Sequence, residues 1–253
     1  MSQRPLFPAT MIRAVAARLG VPLLLVFASA APDQGQQHPS AAELLDQFQT
    51  STVFWKQFEV AKAIVAAKDT SVLPQLESWL THEDRHLRGN AGFILAGLGD
   101  PRGFDVIVAI LADRSERRAV HQISSVGLPW VQGQIREDRY YAAHLLGDLK
   151  DPRAIPILVP LLTDPDVNYI VPWSLGQIGD RSAITPLIRS LSDPNPSMRV
   201  LAVHALVQLK ATEALPRLRQ LLDDNARSNF GKLESVADAA HAAIAKLQSE
   251  AAH

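Results

Sequence analysis

One pattern constrains this chain more than any other: it repeats. Aligning Ala67-Lys68-Asp69, Leu98-Gly99-Asp100, Leu149-Lys150-Asp151, Ile178-Gly179-Asp180 and Leu209-Lys210-Ala211 on their third positions gives spacings of 31, 51, 29 and 31 residues. Before each marker the same apolar columns recur: Val60/Ile64/Ala67, Ala91/Leu95/Leu98, Ala142/Leu146/Leu149, Val171/Leu175/Ile178 and Ala202/Leu206/Leu209. After it come Leu73/Leu76/Leu80, Phe104/Ile107/Leu111, Ile155/Leu158/Leu162, Ile184/Leu187/Leu191 and Leu215/Leu218/Leu222. Steps of four and three residues place each trio on one helical face. Each unit is therefore a helical hairpin that cannot bury its apolar face alone and must stack on its neighbours.

The punctuation agrees with the columns. Gly99 and Gly179 stand where a first helix ends in a left-handed residue. Asp69, Asp100, Asp151 and Asp180 stand at the N-cap of the second helix, and Pro101 and Pro152 at its first position. Ser40-Ala41-Ala42-Glu43 is a capping box that opens a lone N-terminal helix over residues 40–48, and residues 235–247 read as a lone closing helix. Pro172, inside the fourth first helix, predicts a kink.

Units reading Leu-Gly-Asp-Pro-Arg (98–102) and Leu-Lys-Asp-Pro-Arg-Ala-Ile-Pro-x-Leu (149–158), about 30 residues apart in the regular stretches, resemble HEAT repeats of the phycobilisome-lyase-like subclass. Arg88, Arg139 and Arg199 match the arginine that this family places in its first helix. The resemblance covers roughly residues 54–224. It implies an all-α, right-handed α-solenoid of about five hairpins between terminal capping helices. For function it implies several things at once, because such repeats serve scaffolds, chromophore lyases, a metal hydroxylase and DNA glycosylases.

Three segments flank or interrupt the repeats. Residues 1–30 read as a signal peptide, with Arg4, Arg13 and Arg18 ahead of an apolar run and Ala28-Ser29-Ala30 at its end. The run is too short to span a membrane, and Met11 offers a second start. Residues 31–39 read as a flexible linker, and 40–248 as the solenoid. The 51-residue spacing places an insertion at about residues 114–138. An exported, periplasmic or extracellular protein is the expectation.

Composition removes several function classes. With no cysteine, the chain carries no disulfide, thiolate metal site or cysteine nucleophile. No Gly-rich phosphate loop is present. Lys plus Arg number 25 against 26 acids, and losing the three leader arginines leaves 22 against 26, a poor balance for nucleic acid or anionic lipid. His82-Glu83-Asp84-Arg85-His86 matches the H-E-x-x-H zinc pattern, but the repeat register puts it on the turn between units one and two, where a solvated capping turn is expected. The His-Glu pairs that the HEAT-type metal hydroxylase carries are replaced here by Asn90-Ala91, Tyr141-Ala142, Ile170-Val171 and Leu201-Ala202. No catalytic residue, metal ligand or cofactor is assigned. Trp55, Trp79 and Trp173 are expected in inter-repeat contacts.

The function read from these observations is a non-enzymatic protein-binding scaffold, with second helices lining a concave surface. The other class weighed is an enzyme or enzyme subunit of the lyase-like HEAT family acting on a small molecule or chromophore. Recognition is placed at and beside the insertion, on Trp130, Arg136, Arg139, Tyr140 and Tyr141, because arginines and aromatics on an irregular excursion favour binding. A protein partner is expected, without nucleic acid or membrane.

Overall fold

The computed structural model describes residues 39–115, 131–229 and 234–251. Helix α1 (Ala41–Thr50) opens the fold, and Ser40 and Glu43 close the capping box. Five hairpins follow. Their first helices are α2 (Phe54–Ala67), α3 (Arg85–Gly97), α5 (Val131–Leu149), α7 (Val171–Ile178) and α9 (Pro196–Gln208). Their second elements are a 3-10 segment (Thr70–Thr81), α4 (Pro101–Ala112), then α6 (Ile155–Leu158), α8 (Ile184–Ser190) and α10 (Leu215–Arg219), each of the last three entered through a 3-10 turn. Helix α11 (Val236–Ala251) closes the stack. Among the described residues the only β pairing is an isolated bridge, Arg227 to Ser235.

The second elements are less regular than the columns predict, and proline is the reason. Pro74, Pro156, Pro160, Pro186 and Pro216 each lack the amide that an interior turn needs. The one second element whose sole proline is at N1, α4, is a continuous α-helix. Its N-cap Asp100 accepts from the Arg102 amide, as Asp69, Asp151 and Asp180 accept two residues on. Pro172 does not kink a helix: α7 begins at Val171, so the ring occupies the first turn, where no donor is required.

The hinge of every hairpin is left-handed. Gly99 (φ 93°) and Gly179 (φ 80°) take that conformation at little cost, while Lys68, Lys150 and Lys210 (φ 56°, 56° and 51°) hold it against their Cβ. The predicted columns form one continuous core, with Ile64, Leu95, Leu146, Leu175 and Leu206 at 1% exposure or less. First helices carry the stacking: α5 packs on α7, α7 on α9 and α9 on α11.

One aromatic contact spans two units. Phe54 and Phe58 of the first unit reach the Tyr141 ring of the third, with centroids 5.0 and 6.1 Å apart. Gly89 of the intervening helix makes room, since a Cβ there would meet Leu145 Cδ1 at 2.9 Å. First helices of units one and three therefore meet directly, past the glycine of the helix between them.

Candidate functional site

The binding residues named from sequence fall into different environments. Trp130 lies outside the described residues. Arg136 is half-buried and directs Nε to Asp166 Oδ1 at 3.4 Å. Arg139 is 2% exposed. Its Nε donates to the Leu111 carbonyl at 2.8 Å and its Nη2 to Asp164 Oδ2 at 2.7 Å, with Nη1 reaching Asp166 at 3.4 Å. Arg114, at the start of the insertion, holds the same two aspartates. Burial works to raise the Asp164 carboxyl, but the hydrogen bond and charge of Arg139, the Asp166 amide and Arg114 hold it below its ordinary value.

This clamp is the general role of the arginine column. Arg88 donates to the His82 carbonyl at 2.7 Å, and Arg199 to the Asp193 carbonyl at 2.7 Å while pairing with Asp224 at 2.8 Å. Each guanidinium ties its first helix to a turn; Arg139 bridges neighbouring units as well, and Arg199 reaches Asp224 on the segment that leads to α11. Tyr140 and Tyr141, being consecutive on a helix, point apart. Desolvation pushes the Tyr140 phenol up to about 12. Tyr141 is buried and donates its hydroxyl to Asn90 Oδ1 at 2.5 Å, and desolvation is the main reason its phenol titrates well above the usual range.

Tyr141 ends a buried polar chain that sequence reading did not assemble. Asn90 Nδ2 donates to Gln57 Oε1 at 2.8 Å and to the Phe54 carbonyl at 2.9 Å, and Gln57 Nε2 donates to the Phe48 carbonyl at 3.0 Å. The chain links α1 and three successive first helices. A signal existed: Asn90 and Tyr141 share one column beside the apolar one, a polar pair where a buried pair needs mutual satisfaction.

A second polar cluster stands at the base of the insertion. Arg85 reaches Asp113 Oδ2 at 2.6 Å and Asp138 Oδ2 at 3.1 Å, and its Nη2 donates to the Ser115 carbonyl and hydroxyl. His86 places Nδ1 3.5 Å from Asp138 Oδ1 and 3.7 Å from Asp84 Oδ1, under a stacked Phe54 ring 4.4 Å away. The side chain of Asp138 is 0% exposed. A buried imidazole against a carboxylate has the chemistry to hold or pass a proton.

The H-E-x-x-H residues divide between these roles. Asp84 is the N-cap of α3, accepting from the His86 and Leu87 amides, so the two histidines do not share a helical turn. The turn is less solvated than expected: His82 stacks on Trp79 (5.4 Å, 11°), and Arg85 and His86 are buried. Among the described residues no group of three or more His, Asp and Glu is placed to hold a metal. Trp79 packs edge-on to Phe48 of the N-terminal helix, and Trp173 stacks on His144 across units as expected. Trp55 does not; it is 56% exposed.

Residues 138–164 match the PBS lyase HEAT-like repeat, and residues 164–229 match HEAT repeats. Among curated relatives, the chain is 32% identical over 146 residues to the bilin biosynthesis protein PecE of a Nostoc species, covering 56% of this chain and 53% of the relative. It is 38% identical over 97 residues to the phycocyanobilin lyase subunit alpha of Synechococcus elongatus, covering 34% of this chain and 36% of the relative. The matches thus span about half the length of these relatives or less. A solved engineered protein aligns with a TM-score of 0.45 at 18% identity, over 83% of this chain and 96% of that one. The expectation of a non-enzymatic protein-binding scaffold is overturned by these relatives, which carry bilin biosynthesis and lyase names.

Proposed function

Because this chain carries HEAT repeats, one of them of the phycobilisome-lyase-like type, we propose that it is a bilin-handling protein of lyase type, acting on an open-chain tetrapyrrole together with a protein acceptor. The observation that carries the reading is the match over residues 138–164. That segment contains Asp138, Arg139, Tyr140, Tyr141 and His144, so the lyase-like repeat and the polar and aromatic constellation coincide.

The chemistry is compatible with that role. Forming or breaking a bond between a thiol and a conjugated alkene needs proton movement at carbon and at sulfur. The His86–Asp138 pair supplies a proton-exchanging group in a dry setting. The chain has no cysteine of its own, so any thiol in the reaction belongs to the acceptor.

The test is covalent transfer. Phycocyanobilin is incubated with a cysteine-bearing phycobiliprotein subunit, with and without this chain, and the acceptor is run on a denaturing gel. Bilin fluorescence that stays with the acceptor faster or more selectively in the presence of the chain supports the reading. Identical labelling with and without it removes the lyase assignment.

Residues 1–30 are proposed separately as an export leader, on their basic, apolar and small-residue order. A native protein beginning near Ala31 supports this, and one retaining Met1 or Met11 in a cytoplasmic fraction refutes it.

A further inference from the structure

On first helices of units one, three and four lies a patch that borders the first polar chain at Tyr141, whose ring stands 6.3 Å from that of His144. Trp173 and His144 stack with centroids 4.5 Å apart and planes at 18°. His144 meets the edge of Phe58 at 5.8 Å, and Lys62 Nζ stands 5.0 Å over that same ring while pairing with Glu59 at 2.8 Å. Asp148, one helical turn beyond His144, brings Oδ2 to 3.8 Å from its Nδ1. The side chains of His144, Asp148 and Lys62 are 19%, 21% and 28% exposed, so each is backed by the fold and still reachable.

We infer that this patch is the bilin-binding surface, with Trp173, His144, Asp148 and Lys62 as its contacts; the inference rests on the function proposed above. An open-chain tetrapyrrole presents three kinds of group. Its conjugated faces stack on aromatic rings, and here two rings lie parallel. Its pyrrole N–H groups donate, and Asp148 is a carboxylate acceptor beside those rings. Its propionates need a cation, and Lys62 is an ammonium on a flexible stem that can exchange Glu59 for a propionate.

The rings are held in advance. A Cβ on Gly147 would meet Ser174 Cα at 2.8 Å and Trp173 Cζ3 at 3.0 Å, so α5 and α7 approach backbone to side chain at that point. The Ser174 hydroxyl donates to the Ala143 carbonyl at 2.8 Å and locks the same crossing. Such a surface loses little freedom when a flat ligand arrives.

The experiment titrates phycocyanobilin into the purified full chain and follows the visible band. It compares wild type with Asp148→Asn, Lys62→Gln and Trp173→Leu, and with Arg181→Ala, an exposed residue paired with Glu213 and outside the patch. Each patch variant should raise Kd by about tenfold or more, the loss of one charged or stacking contact, and Asp148→Asn should also shift the bound band. Arg181→Ala should bind as wild type does. If Trp173→Leu unfolds, the two polar variants decide, since neither side chain is in the core. Wild-type affinity in both polar variants overturns this surface while leaving the bilin reading intact. Failure of wild type to bind removes both.

Discussion

Replacing Arg85 by methionine tests the cluster at the base of the insertion. The guanidinium faces Asp113 at 2.6 Å and Asp138 at 3.1 Å and is itself 6% exposed. Asp113 is 31% exposed, so it recovers hydration when the cation leaves and contributes little. Asp138 is 0% exposed and does not. Losing one member of a buried ion pair costs about 3–5 kcal/mol, against about 1 kcal/mol or less for an exposed pair. Arg102, 52% exposed and paired with Asp100 and Glu77, is the internal control. Urea titration followed by circular dichroism should place Arg85→Met about 3–5 kcal/mol below wild type and Arg102→Met within about 1. Adding Asp138→Asn to Arg85→Met should restore part of the loss, because the buried carboxylate that has lost its guanidinium is neutralised. Equal, small losses for both arginines, or no rescue, would refute the reasoning.

Other outcomes follow from the packing. Leu146→Ala should cost about 2–5 kcal/mol in the same titration, since Leu146 is fully buried between units. Lys150→Gly should stabilise by roughly 0.5–1 kcal/mol, because the lysine holds a φ of 56° that glycine adopts without strain. Stability should fall in acid: the hydrogen bonds donated by Ser71, Arg102 and Ser182 lower the carboxyls of Asp69, Asp100 and Asp180 below their ordinary 3.8. Carboxyls lowered in the folded state stabilise it fully above their unfolded value, and that contribution goes as pH drops through the folded one. A melting temperature that is flat from neutral pH down to below that ordinary value would contradict this.

The fold was legible because the repeat columns are spaced for stacking and nothing else. Leu146 and Leu175 were placed on inward faces by periodicity alone, and both are 0% exposed. The apolar columns alone predicted regular second helices, and Pro74, Pro156, Pro160, Pro186 and Pro216, whose missing amides outweigh that pattern, break them. The candidate site was less legible. Arg139 was identified as a column residue and also as a binding residue; burial and three polar contacts put it in the clamp. His86 and Asp138 come from opposite sides of the insertion, so no local spacing connects them. Nor did spacing indicate that Phe58 of unit one would meet His144 of unit three, because that contact depends on how closely the first helices stack.

The most direct measurement is the visible spectrum of phycocyanobilin, with induced circular dichroism, on addition of the purified chain. A lyase-type bilin protein that holds the chromophore in a fixed conformation predicts a saturable red or blue shift and a signed dichroic band, at about one bilin per chain. A spectrum identical to free bilin, with no dichroism at saturating protein, would contradict the account.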